Sequence, residues 1–377
     1  MVKCLGGINM SAPHQLITHR NLTLMLTYRC NAQCAECGTF SSPHDKNEIT
    51  LETGINSINW AHEIGLKQVI FTGGEPSLRW ADLVTCVKHA TGLGMATRIV
   101  SNAQWAKTPE LAAAGIRELQ EAGLNEINYS TGDEHIRFIP LEHVLNAIQA
   151  GVNAKMPVAL MFELRAKSMV NEQELLDKIA ALAPKEEMDK YFTFIRSPWM
   201  PLKPDNIEDY PDGMYANKSN VAHRTGCDSV LSNYVVQGNA KIAACCGLGM
   251  RTVAELQIGN ALEKPEDDKN PLQKAIEEGE SDLFLYAIHK IGPEKIVAWA
   301  AQKDPSIQWE NMYAHRCQAC MRIYRDPKVK QVIIDHIHEL MAEMVYGGLV
   351  LRRFEQMAAD ALIAADAPEK AFSHYVT

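Results

Sequence analysis

Cys30, Cys34 and Cys37 stand in the run Thr27-Tyr28-Arg29-Cys30-Asn31-Ala32-Gln33-Cys34-Ala35-Glu36-Cys37-Gly38. Three thiolates at Cys-x3-Cys-x2-Cys spacing can wrap a cube-shaped iron–sulfur cluster from one short loop. Carrier clusters are closed by four cysteines. Three would leave one iron open to a small molecule, which suggests chemistry at the cluster itself. Close cysteine pairs also bind zinc, the competing reading of the triplet taken alone. A second run, Phe71-Thr72-Gly73-Gly74-Glu75-Pro76, offers different chemistry. Gly73 and Gly74 let backbone approach a ligand closely, and Glu75 offers an anionic acceptor for an ammonium group.

These residues need elements to hold them. Residues 22–28 read as a strand leading into the cysteine loop, and 67–71 as a strand whose C-terminal end carries Gly73–Pro76. Ligands in α/β barrels sit at that end of the strands. Helix 51–64 has Thr50 as its N-cap, and helix 109–121 has Thr108 as N-cap with Pro109 first. Further strands are expected at 97–100, 126–130, 158–164 and 191–195, with helices at 81–90, 141–150 and 172–182. Repeated β–α units imply a parallel sheet. Residues 199–223, rich in Pro, Asp, Asn and Gly, read as a linker. Helical patterns follow at 270–299, 329–346 and 349–364.

Composition bounds the rest. A chain of 377 residues can bury a sizeable core and suggests about two domains. Its net charge of −9, with no basic run, argues against nucleic-acid binding. No apolar stretch of about 20 residues spans a membrane. The N-terminus lacks signal-peptide form, so a cytoplasmic location is expected. Ten cysteines then point to metal ligation rather than disulfides.

Together, the cysteine loop and Gly73-Gly74-Glu75-Pro76 resemble the radical SAM enzymes. The resemblance implies a partial (β/α)6 TIM-like barrel over 21–205, after an N-terminal extension at 1–20. It implies a [4Fe–4S] cluster on Cys30, Cys34 and Cys37 whose open iron chelates S-adenosylmethionine (SAM). The electron donor would be of flavodoxin or ferredoxin type. Gly73, Gly74, Glu75, Pro76, Asn102, Ser130 and Arg165 would bind SAM; the polar residues also suit turns or solvated positions. Glu163 and Arg165 alternate on the fifth strand and share one face. Glu36 departs from the family pattern, which places an aromatic or apolar residue before the third cysteine.

Cys227, Cys245, Cys246, Cys317 and Cys320 form a second set. Cys227 and Cys245 bracket a β-hairpin pattern with Gly238-Asn239 at its turn, and Cys317 and Cys320 form Cys-x2-Cys. The order resembles the SPASM/twitch-type auxiliary-cluster region, here 206–327 with a helical insertion, followed by C-terminal helices at 328–377. It implies a second [4Fe–4S] cluster on Cys227, Cys245, Cys317 and Cys320. Zinc suits four thiolates too, and Cys246 competes with Cys245 for one position.

His135 reads as a proton-transfer residue or a loop histidine. Cys246 reads as a hydrogen-atom donor or a packed cysteine. The expected activity is reductive cleavage of SAM and hydrogen abstraction, for oxidative modification of a ribosomally made peptide, such as a cross-link. The short stretch before Cys30 leaves no room for a fused leader-binding domain, so a separate recognition protein or direct docking is expected. Alternatives are a dehydrogenase or epimerase of a sugar or aminocyclitol, and a non-catalytic iron–sulfur or zinc scaffold.

Overall fold

The computed structural model describes residues 20–200, 209–264, 268–342 and 344. Residues His19–Val332 form one unit. Its first half alternates β1 (Asn21–Met25), α1 (Leu51–Glu63), β2 (Gln68–Thr72), α2 (Trp80–Gly92), β3 (Ala96–Ser101), α3 (Pro109–Glu121), β4 (Glu126–Thr131), α4 (Leu141–Asn153) and β5 (Val158–Leu164), then α5 (Glu172–Ala180), α6 (Lys185–Tyr191) and β6 (Phe192–Pro198). Strands β1 to β6 pair in chain order, all parallel. The parallel sheet is the one expected from the β–α alternation, and, since it does not close, it is the partial barrel that the resemblance implies.

Local chemistry explains the helix starts. The Thr50 side chain accepts the Thr53 N–H at the head of α1, and Thr108 accepts the Leu111 N–H with Pro109 in the first turn of α3. Asn171 caps α5 in the same way. Leu22, Leu24, Val69, Phe71, Ile99, Ile127 and Leu160 are buried on the strands, while Ile58, Val87, Ile116 and Ile148 are buried on the helices. Burial of each such side chain stabilises the fold by about 1.5–3 kcal/mol before entropy is counted.

The sheet continues on the other side of β1. Strand β7 (Asn233–Val236) pairs with β1 in parallel, and the hairpin of β7 and β8 (Lys241–Ala243) is extended by β9 (Gln257–Asn260). All nine strands therefore form one sheet, β6-β5-β4-β3-β2-β1-β7-β8-β9. The helical run expected at 270–299 divides into α7 (Pro271–Ser281), α8 (Leu283–Lys290) and α9 (Pro293–Lys303); α10 (Arg316–Arg325) and α11 (Pro327–Asp335) follow.

In the stretch read as a linker, 201–208 lie outside the described residues. Ala216, in the remainder, donates its N–H to Tyr313 O (2.8 Å) and accepts from Asn311 N (2.9 Å), so this part is pinned rather than loose. Met1–Thr18 and Ile333–Thr377 make a second unit; in its described part, His336 Nδ1 lies 3.2 Å from Glu339 Oε1. The helix expected at 349–364 falls outside the described residues. No helix among the described residues is long and apolar enough to cross a membrane.

Candidate metal centres and the barrel mouth

The first cysteine loop leaves β1 and is tied off at its base. Tyr28 N donates to Asn47 O (2.9 Å), and Cys30 N donates to Ser42 O (3.1 Å). Cys30, Cys34 and Cys37 are all partly exposed. Burial, with some repulsion from neighbouring acids and thiols, pushes the Cys30 thiol up to about 12 and raises that of Cys34 as well. Such thiols stay protonated alone and become thiolates only against strong positive charge such as bound iron, so loading would release protons. Polar hydrogens already point at one sulfur: Ala32 N lies 3.4 Å and Asn102 Nδ2 3.7 Å from Cys30 Sγ.

Gly73 and Gly74 are required by the chain's own backbone. Gly73 has φ +146°, and a Cβ there would lie 2.4 Å from Thr27 O; one on Gly74 would lie 2.2 Å from Arg29 O. The closeness allows Gly74 N to donate to Thr27 O (2.8 Å) and Glu75 N to Arg29 O (2.9 Å). The Gly-Gly-Glu-Pro loop thus grips the chain immediately before Cys30. Glu75 is buried, and its carboxylate accepts from Ser101 Oγ (2.9 Å), Asn102 N (2.8 Å) and Ser77 N (3.0 Å). Burial raises its pKa, opposed by these bonds. Glu75 therefore locks the ends of β2 and β3 together, and Pro76 starts the short helical turn after it. Asn102 Nδ2 also donates to Asn31 Oδ1 (3.0 Å).

The ends of β4 and β5 carry a polar network. Glu163, 4% exposed, accepts the Glu134 N–H (2.9 Å) through one oxygen and contacts His135 Nδ1 through the other. Glu134 Oε2 accepts the Ala35 N–H (3.1 Å), inside the cysteine loop. Arg165 Nη2 is 3.7 Å from Glu134 Oε1, and its guanidinium lies 5.7 Å from the Trp199 ring centre. His135 meets the same ring edge-on at 6.0 Å. Glu163 and Arg165 thus converge on one loop, as their alternation on the strand suggests. Trp199 Nε1–H is buried without a hydrogen-bond partner among the described residues. Ser130 is half-buried within β4, opposite Met161 of β5. Sequence reasoning does not reach the contact that Glu134 makes with the cysteine loop, across 99 residues.

Cys227, Cys245, Cys317 and Cys320 line one small cavity with Gly247, Leu256 and Pro293. Cys245 lies just past β8, and Cys317 and Cys320 project from the first turn and a half of α10. Cys246 is exposed, and its Sγ lies 3.2 Å from Ser229 Oγ. His315 begins α10, accepting the Cys317 N–H (3.2 Å). Burial pushes its imidazole down to about 4, so near neutral pH it is an acceptor.

Two buried polar groups beyond the cavity's lining residues are also unsatisfied. Glu294 Oε2 and Tyr324 OH are buried with no hydrogen-bond partner among the described residues. Burial raises the Cys320 thiol, followed by the fields of Cys245, Cys317, Cys227 and Glu294, so these groups lie within electrostatic reach of one another. Buried polar atoms without partners call for an unseen group. Four thiols converging on one cavity fit an iron–sulfur cluster. No three His, Cys, Asp or Glu side chains among the described residues are placed to hold a single metal ion. A cluster imposes a different geometry, since each thiolate binds its own iron.

Arg251 joins the two cysteine regions. Its guanidinium donates to Thr39 O (3.1 Å) and Phe40 O (2.9 Å), pairs with Asp45 (2.6 Å) and lies 3.8 Å from the Tyr28 ring centre. Nothing in the local sequence around Arg251 signals this.

No family model matches the chain. It is 34% identical over 108 residues to the PqqA peptide cyclase of Bradyrhizobium diazoefficiens, covering 28% of this chain and 27% of that protein. The chain thus spans about a quarter of that relative's length. It is 27% identical over 173 residues to the probable GTP 3′,8-cyclase of Methanopyrus kandleri, covering 43% of this chain and 53% of that protein. The solved structure of native anSMEcpe with bound AdoMet shares the fold, at TM-score 0.50 and 13% identity over 86% of this chain and 99% of that one. Fold and cysteine loop define an open-barrel α/β protein with a thiolate-rich strand-end site. The cysteine loop, the Gly-Gly-Glu-Pro loop and these relatives support a member of the radical SAM superfamily.

Proposed function

We propose that the chain cleaves SAM reductively at Cys30, Cys34 and Cys37 and oxidatively modifies a peptide. The observation carrying this is the meeting of the cysteine loop, the Glu75 lock and the Glu134–Glu163–Arg165 network at one end of six parallel strands. The three cysteines would hold a [4Fe–4S] cluster, which when loaded and reduced supplies the electron that splits SAM into methionine and a 5′-deoxyadenosyl radical.

The protein's residues bind and orient. Gly73, Gly74, Glu75 and Pro76 would hold the strand ends against which the SAM amino group binds. Arg165 would pair with the SAM carboxylate, a charge-assisted contact, and Asn102 and Ser130 would serve the ribose and methionine portions. His135, with Nδ1 held by Glu163, keeps Nε2 for taking a proton from substrate. Cys227, Cys245, Cys317 and Cys320 would hold the second cluster, suited to accepting an electron. Cys246 is exposed and touches Ser229, which lines the cavity, so a hydrogen-donor role would need substrate on its exposed side.

The peptide substrate is supported by the relatives named PqqA peptide cyclase. A small-molecule substrate is the second reading, favoured by the longer match to a probable GTP 3′,8-cyclase. The first experiment is iron content and electron paramagnetic resonance on anaerobically reconstituted chain, with and without SAM. About eight irons, with one signal shifted by SAM, are expected. Cys30→Ala should abolish 5′-deoxyadenosine formation; persistent product would refute the assignment.

A further inference from the structure

Tyr324 is a large buried side chain whose polar end has no visible purpose. It is 8% exposed, and its hydroxyl has no hydrogen-bond partner among the described residues. Leaving such a hydroxyl dry is costly, and phenylalanine would fill the space without that cost. Its position offers an explanation. Tyr324 follows Cys320 by four residues on α10, one turn along the same helix face. Phe284 of α8 packs on the ring at 6.4 Å and limits where the ring can go. Burial first, then Cys320, Asp282, Cys245 and Glu255, push the hydroxyl's pKa well above tyrosine's ordinary value. The phenol is thus a permanent donor within electrostatic reach of two of the four cavity cysteines.

We propose that the Tyr324 hydroxyl donates a hydrogen bond to the sulfur-rich group held by Cys227, Cys245, Cys317 and Cys320, and thereby raises its reduction potential. The inference rests on the proposed second cluster. A donor to cluster or cysteinyl sulfur stabilises the reduced, more negative state more than the oxidised one. Ser229 and Arg316 already line the cavity, and each further donor raises the potential, which suits taking an electron from a substrate radical. Tyr324 would shift the site toward accepting. It is a positioning and tuning residue, since the four cysteines supply all the ligands.

The test is Tyr324→Phe in the full-length chain, reconstituted anaerobically and titrated potentiometrically while following the resonance signal that SAM does not perturb. Unchanged iron content and a shift of that signal's midpoint to lower potential are expected. Phe284→Leu, which disturbs the ring's packing but keeps the hydroxyl, should move the midpoint less than Tyr324→Phe. An unchanged midpoint in Tyr324→Phe with full iron would overturn the proposal. Loss of iron in Tyr324→Phe would overturn it too, making Tyr324 structural. If the unmutated chain shows no SAM-insensitive cluster, the second-site reading itself fails, an outcome distinct from either.

Discussion

The two cysteine sites are built in opposite ways. Cys30, Cys34 and Cys37 share one loop, partly exposed and held from outside by backbone bonds to Thr27 and Arg29, by Glu134 and by Arg251. Cys227, Cys245 and the Cys317–Cys320 pair of α10 come from three separate segments and line one cavity. The first site is a rim with room for a visiting molecule. The second reaches into the core through Cys227 and Cys245, which are buried, while Cys317 and Cys320 are partly exposed. A site that exchanges ligand is supported from its surroundings, whereas a permanently filled site can serve as packing.

Breaking the rim should have the largest effect. Gly74→Ala would drive a Cβ to 2.2 Å from Arg29 O, and backbone there cannot swing aside. Expected are loss of the SAM-perturbed resonance signal and destabilisation by about 2–4 kcal/mol; a normal signal would mean the loop is not gripped as described. Next, Cys317→Ala or Cys245→Ala should remove roughly half the iron while leaving SAM cleavage partly intact, and Cys246→Ala should leave iron unchanged. If Cys246→Ala loses as much iron as Cys245→Ala, the two cysteines have exchanged roles.

The smallest effect concerns acid. Slight burial raises the Asp45 carboxyl, but its bonds to Asn47 and Arg251 outweigh this and lower its pKa. A carboxyl lowered on folding stabilises above its unfolded pKa and loses that contribution as pH falls through the lowered value. Asp45→Asn should therefore melt earlier at neutral pH, with the gap closing at acid pH in a series of thermal melts. A gap independent of pH would separate the Arg251 clamp from charge.

The same contrast explains what the sequence can show. The cysteine loop and Gly73–Pro76 are local, so spacing and residue type identify them, and the bounds of β5 at 158–164 follow from a β-rich run that ends in polar residues. Glu134 and Arg251 act through contacts 99 and 206 residues away, which no local pattern encodes. The paired glycines read as space for ligand; the structure places the chain's own backbone there. Strand β9 is four residues containing a glycine, too short and mixed to stand out. Helix α6, seven residues long, escapes notice likewise.

Strand β1 has a consequence for how this chain is made. One of its neighbours, β7, pairs Asn21 with Asn233, 212 positions later. At synthesis rates of about 5–20 residues per second, β1 waits about 10–40 s for that neighbour. During that time it presents an apolar strand with one open edge. Unpaired edges recruit other chains, and pairing over such distances is slow. Slowed translation lengthens the exposure, whereas a chaperone that covers nascent strands shortens its effect. The pairing of β1 with its last-formed neighbour is therefore an expected point of loss during synthesis.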